Sequence, residues 1–138
     1  MRRRDRGFIT VQICAVVMLI ALTSSLTHGN EIGVHQEITS LLQYIESSEC
    51  IFIRNGREGT AAAARIHIQK KYDYFKDRVK SAEDFIRFAA TKSTMSGRPY
   101  KVRCSGEETN TADWLTAELQ KRRNRLQGER RRGAIDYE

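Results

Sequence analysis

Two short polar segments hold the residues best suited to chemistry in this chain: Arg54-Asn55-Gly56, and Ser93 followed by Ser96-Gly97 and Tyr100. A guanidinium set beside hydroxyls and exposed backbone amides suits a carboxylate or phosphate. Hydrogen bonds to a charged oxygen are shorter and stronger than neutral ones. Arg54, Asn55, Gly56, Ser93, Ser96, Gly97 and Tyr100 therefore form a candidate binding set for a small anionic ligand or a peptide terminus. A structural use of the same residues stands beside it. Asn-Gly and Ser-Gly make turns, and Arg54 can stack on Tyr100 across a pair of strands.

Catalysis finds less support. His67 is a candidate general base, but a base needs a positioned partner, and no second histidine lies near it in sequence. On a helix it shares a face with Lys71 and Tyr74, which suits a structural, hydrogen-bonded histidine. Ser93 and Ser96 lack the Gly-x-Ser-x-Gly setting of a nucleophile elbow. No phosphate-cradling glycine loop occurs. Glu83-Asp84 and Glu107-Glu108 are sequence neighbours, which regular structure points apart, and they read as helix-start charges or a solvated loop. The expectation is a binding or interaction module with no catalytic residue, no metal and no cofactor, whose partner is an envelope protein or a small anion. The alternative is a small envelope hydrolase using His67.

The compartment follows from the N-terminus. Arg2, Arg3, Arg4 and Arg6 precede an apolar run from Phe8 to Leu22, and small polar residues follow to Gly29. That order is the pattern of a secretory signal. The run of 15 residues falls short of the roughly 20 that span a bilayer as a helix. Residues 1–29 thus read as a signal peptide cleaved after Gly29 or Ser25, with an uncleaved N-terminal anchor facing the periplasm as the alternative. A periplasmic or secreted location follows.

Export changes the cysteine arithmetic. Of three cysteines, Cys14 lies in the signal, leaving Cys50 and Cys104. An even pair in an exported protein is most simply one disulfide; two buried thiols are the alternative. Two cysteines and two distant histidines do not make a closed zinc pattern.

Charge is equally localised. The chain has 24 Lys+Arg against 17 Asp+Glu, a formal +7. From Asn30 to Gln120 there are 13 basic and 13 acidic residues, so the excess of the mature chain lies after Gln120. Lys121, Arg122, Arg123, Arg125, Arg130, Arg131 and Arg132 form a candidate contact for an anionic membrane surface, with simple solvation as the competing reading. Without interleaved aromatic residues nothing specifies nucleic acid.

Helices and a small β element must position these groups. Val34, Ile38, Leu41, Leu42 and Ile45 form one apolar stripe and predict a helix over Glu31–Ser48. Thr60 caps a second helix over Ala61–Arg78, and Ser81 opens a third that bears Phe85, Phe88 and Ala89 and ends at Gly97. Asn110 or Thr111 caps a fourth, carrying Trp114, Leu115, Leu119 and Leu126. Cys50–Ile53 and Tyr100–Cys104 read as short strands. If they pair antiparallel with Cys50 opposite Cys104, Phe52 faces Val102 and Arg54 faces Tyr100, all on one sheet face. The fold expected is mostly α (α+β): about four helices, a two-stranded antiparallel ribbon and one disulfide. One small domain spans residues 30–123, followed by a basic tail over 124–138.

Several of these segments, in this order, resemble the YfeK-like family of small exported bacterial proteins, a domain of unknown function. They are Cys50-Ile-Phe-Ile-Arg-Asn-Gly56, Ala64-Arg-Ile-His67, Lys70-Lys-Tyr72, Phe85-Ile86, Lys92-Ser93, Ser96-Gly97-Arg98-Pro99-Tyr100, Cys104 and Trp114-Leu115. The resemblance runs from about Glu37 to Arg123. It implies export and a single small domain, and it carries no established activity.

Overall fold

A computed structural model of the protein describes residues 25–135. The first 24 positions of the expected signal lie outside the described residues. The compact unit that begins at Val34 holds the core.

Helix α1 covers Ser25–Glu46, strands β1 and β2 cover Ile51–Arg54 and Arg57–Gly59, and helix α2 covers Ala61–Phe75 with a 3-10 turn at Lys76–Arg78. Helix α3 covers Ala82–Phe85 and continues as a π-helical segment over Ile86–Ala90. Strands β3 and β4 cover Lys101–Cys104 and Glu107–Asn110, and helix α4 covers Thr111–Ile135. The architecture is mostly α plus β, with a single antiparallel sheet of order β2-β1-β3-β4.

The expected ribbon of two strands is thus corrected to a sheet of four. Phe52 does pair with Val102. Each expected strand is also the first half of a hairpin. Asn55 and Gly56 have φ of 52° and 78°, and Ser105 and Gly106 have φ of 51° and 88°. Two successive positive-φ residues make the turn whose twist matches a hairpin. Glycine supplies that conformation without strain, and asparagine tolerates it. The partner strands carry Arg57-Glu58-Gly59 and Glu107-Glu108-Thr109-Asn110, all exposed. Glu107-Glu108 accordingly lies on a strand, not at a helix start.

One sheet face is apolar and covered by helices; the other is charged. Phe52 and Val102 enter a core with Ile38, Leu41 and Ile45 of α1, Ile68 of α2, Phe85 and Ala89 of α3 and its continuation, and Leu115 and Leu119 of α4. Trp114 stacks on Tyr44 with ring centroids 4.4 Å apart and sets its edge against Phe52, tying α4 to α1 and β1. On the open face Arg103 reaches Glu58 at 2.7 Å and Glu108 at 3.1 Å, and Lys101 reaches Glu108 at 2.9 Å. These cross-strand pairs give otherwise apolar-free strands a reason to align.

The caps at Thr60 and Ser81 are present, their side chains accepting from the amides of Ala63 and Asp84. Two expectations shift. The helix expected to end at Gly97 stops at Ala90, and Gly97, with φ of 69°, instead closes a turn in which its amide donates to the Ser93 carbonyl. Leu126 is half exposed, because α4 extends past the helices it packs on.

Arg123 joins three helices. Its guanidinium donates to both carboxylate oxygens of Glu37, at 2.7 and 2.8 Å, and to Glu83. The Arg123 hydrogen bonds hold the Glu83 carboxyl below its ordinary value of 4.5. A carboxylate more acidic in the folded state than in the unfolded chain contributes stability that is present above the unfolded value and lost as pH falls through the folded one. Stability should therefore decline on acidification below 4.5, and Arg123→Gln should flatten that part of the decline. Urea denaturation repeated from about pH 7 to about pH 3 measures it; identical acid profiles for both proteins would refute the linkage.

Candidate functional site

A cleft of about 650 Å³ opens between the β1–β2 hairpin and the first turns of α2. Its existence follows from small side chains. Gly59 is paired with Phe52 and has no side chain, and Ala63 and Ala64 face the hairpin where longer residues would close the space. Phe52 and Ile68 contribute apolar wall. Thr111, the first residue of α4, also lines it; Thr111 is 1% exposed, and its hydroxyl is unpartnered among the described residues.

Alternation along the strands sorts the charges. Arg54 pairs with Arg57 and Phe52 with Gly59, so both arginines share the Phe52 face that α2 covers. Glu58 and Lys101 occupy the alternate positions and are engaged on the open face by Arg103 and Glu108. Neither Arg54 nor Arg57 forms an ion pair with a carboxylate among the described residues, whereas Arg87, Arg103, Arg122 and Arg123 do.

Arg54 is instead held by His67. The Arg54 Nη1 lies 2.9 Å from His67 Nδ1 and 3.3 Å from Nε2, and Nε2 lies 3.0 Å from the Tyr100 hydroxyl. With both ring nitrogens so near, the guanidinium lies over the face of the imidazole, while the ring edge meets the Tyr100 hydroxyl at Nε2. Burial lowers the His67 pKa below its ordinary 6.5, and Arg54, Lys71 and Lys70 lower it further. Burial raises that of Tyr100, with Arg54 opposing.

Tyr100 is anchored from both sides. Its amide donates to the Thr91 carbonyl, and its carbonyl accepts from the Thr111 amide, each at 2.9 Å. Lys71, one turn after His67, donates to the Lys92 carbonyl at 2.6 Å and lies 5.0 Å from the Tyr100 ring centre. Lys71, not Arg54, is the cation over that ring.

Of the residues singled out in the sequence, Arg54, Asn55 and Tyr100 line the cleft. Ser96 stands beside them, its hydroxyl donating to Asn55 Oδ1 at 2.6 Å. Ser93 is buried, and its hydroxyl accepts from the Ser96 amide. Gly56 and Gly97 serve their turns. The Arg54 turn and the Ser93–Tyr100 loop are therefore adjacent. Sequence reasoning overlooked Arg57, which sits on an unpredicted strand, and the role of His67 as the partner of Arg54. The His67–Lys71 spacing of four on α2 was the available signal, since it sets both side chains over Tyr100 once α2 covers that face.

In the arginine-rich segment, Arg122 pairs with Glu118 at 2.6 Å and Arg123 with Glu37 and Glu83. Lys121, Arg125, Arg130, Arg131 and Arg132 are exposed along α4. Among the described residues no helix is long and apolar enough to cross a membrane.

The chain belongs to the family of unknown function DUF5329, which matches residues 33–123. It is similar to the uncharacterized protein YfeK of Salmonella typhimurium, 31% identical over 91 residues, covering 64% of this chain and 73% of that protein. No solved structure matches it. The matched region contains the whole sheet, α2, α3 and the cleft.

Proposed function

We propose that this is an exported cell-envelope domain that binds a small anion, or the anionic group of a partner, in the cleft beside Arg54 and does not transform it. The observation that carries this reading is the pair of arginines on the helix-covered sheet face with no carboxylate partner among the described residues. Such groups, both exposed, favour an oxyanion that can accept from a guanidinium fork. Export is supported by the N-terminal order of charge, apolar run and small residues and by the disulfide. The hydrolase alternative is disfavoured by the partners of His67. One is a cation, and the other is a phenol that burial makes a weaker acid.

The test is titration of the purified protein with acetate and with sulfate, followed by amide shifts of residues lining the cleft. Arg54→Ala should lower affinity by at least about tenfold, the scale of a hydrogen bond to a charged group. Its melting temperature should stay within a few degrees, as is usual for an exposed substitution. Equal affinity in both proteins would refute the reading.

The exposed arginines late in α4 favour a second contact, with an anionic surface. Deleting residues 125–138 should leave the fold intact, because Arg122 and Arg123 and their partners remain, and should weaken adsorption to phosphatidylglycerol vesicles. The difference should fade at high salt, where screening beyond about 8 Å is already strong at physiological ionic strength. Unchanged adsorption at low salt would exclude an electrostatic role.

A further inference from the structure

We infer that His67 is a proton-linked contact of the anion site: neutral, it holds Arg54 against the cleft wall; protonated, it joins Arg54 in gripping an oxyanion. The inference rests on the reading of the cleft as an anion site and specifies how that site is regulated.

The geometry allows two arrangements of the same groups. In the structure the Arg54 Nη1 lies over the His67 ring, 2.9 Å from Nδ1 and 3.3 Å from Nε2, so one amino group of Arg54 is spent on that ring. The Nε2 atom meets the Tyr100 oxygen at 3.0 Å, and the backbone of Tyr100 is clamped by Thr91 and Thr111. The ring is thus oriented by a fixed phenol. A second proton makes the ring a cation with two N–H donors and nothing left to accept from Arg54. Two cations are then in contact, and their repulsion opposes it.

The charged surroundings decide what replaces that bond. Facing His67 are Arg54 from β1, Lys70 and Lys71 from its own helix and Tyr100 from the segment before β3. No carboxylate pairs with it among the described residues, and Glu58, the acid on the cleft's lining, is occupied by Arg103 at 2.7 Å. None of the described residues supplies a counter-ion to a protonated His67. An oxyanion accepting from both Arg54 and Nδ1–H would supply it, which is why protonation and anion binding must favour each other. The lowered proton affinity of His67 accords with this, since burial and three cations all oppose the charged ring.

The test uses sulfate, whose charge is constant between about pH 5 and about pH 8, with the full mature chain. Affinity is measured by calorimetry, and the His67 ring shifts are followed by NMR with and without sulfate. Affinity should rise by about tenfold for each unit by which sulfate raises the His67 pKa. His67→Gln, which keeps a neutral hydrogen-bonding group beside Arg54, should bind sulfate with an affinity that no longer changes with pH. Sulfate binding of equal strength across the range, or the same pH dependence in His67→Gln, overturns the proton linkage and leaves the anion site standing. Failure to bind sulfate at any pH, with His67 titrating identically in its presence, overturns both.

Discussion

Replacing Cys50 and Cys104 together with serine should lower the melting temperature by on the order of 15–30 °C. The bridge joins residues 54 apart in sequence whose Cα atoms lie 4.6 Å apart, one just before β1 and one ending β3. In the chain-entropy view, closing a loop of that length removes about 4 kcal/mol of freedom from the unfolded chain. For a domain near 100 residues each kcal/mol moves the midpoint by roughly 4–8 °C. The strand pair it closes is short. Only Ile51–Ile53 pairs with Lys101–Arg103, and the outer strands are exposed throughout. Without the bridge the sheet would rest on Phe52 and Val102 against the helices. Scanning calorimetry of the wild-type protein, its reduced form and the double variant measures the effect, and mass spectrometry of the unreduced protein should show about two hydrogens fewer than the reduced form. A shift below about 5 °C would mean that the helical core alone holds the strands.

Phe85→Ala should cost about 3–5 kcal/mol, the range for deleting a large buried aromatic side chain. Phe85 is fully buried and sets the edge of its ring against Tyr72 of α2, with centroids 5.5 Å apart. Phe88 is the internal comparison. It is only half-buried, stacks on Phe75, and is covered by the guanidinium groups of Arg78 and Arg87 at 4.4 Å. Truncating Phe88 should cost clearly less, since water already reaches its surroundings and no sealed cavity forms. Urea denaturation should show a lower midpoint for Phe85→Ala at unchanged slope. Because Tyr72 lies on the helix that carries His67, the variant should also weaken sulfate binding at the cleft. Equal losses at Phe85 and Phe88 would contradict the assignment of Phe85 to the core.

Where apolar side chains repeat at a regular period, the sequence was a sufficient guide. The stripe from Val34 to Ile45 became the buried face of α1, and Phe52 met Val102 in the register that the cysteine spacing implies. Thr60 and Ser81 capped their helices because the donors they satisfy lie within three residues. Such features depend on short-range geometry, and short-range geometry is written in neighbouring residues. The same holds for Asn55-Gly56, whose turn follows from its own backbone preferences.

Strands β2 and β4 and the Arg54 site obey no local rule. Arg57-Glu58-Gly59 and Glu107–Asn110 have no apolar alternation and little β propensity, so they are strands only because β1 and β3 offer them hydrogen-bonding edges and charges to face. Arg54 and Tyr100 were within reach of the register, but His67 joins them through the placement of α2 over the sheet, 13 residues from one and 33 from the other. The sequence by itself determined export-compatible chemistry, four amphipathic helices, two strands and their covalent staple. Only the tertiary structure decided which cations face the cleft with no carboxylate partner among the described residues and which histidine lies among them, because that choice is made by long-range packing of one helix on one face of a sheet.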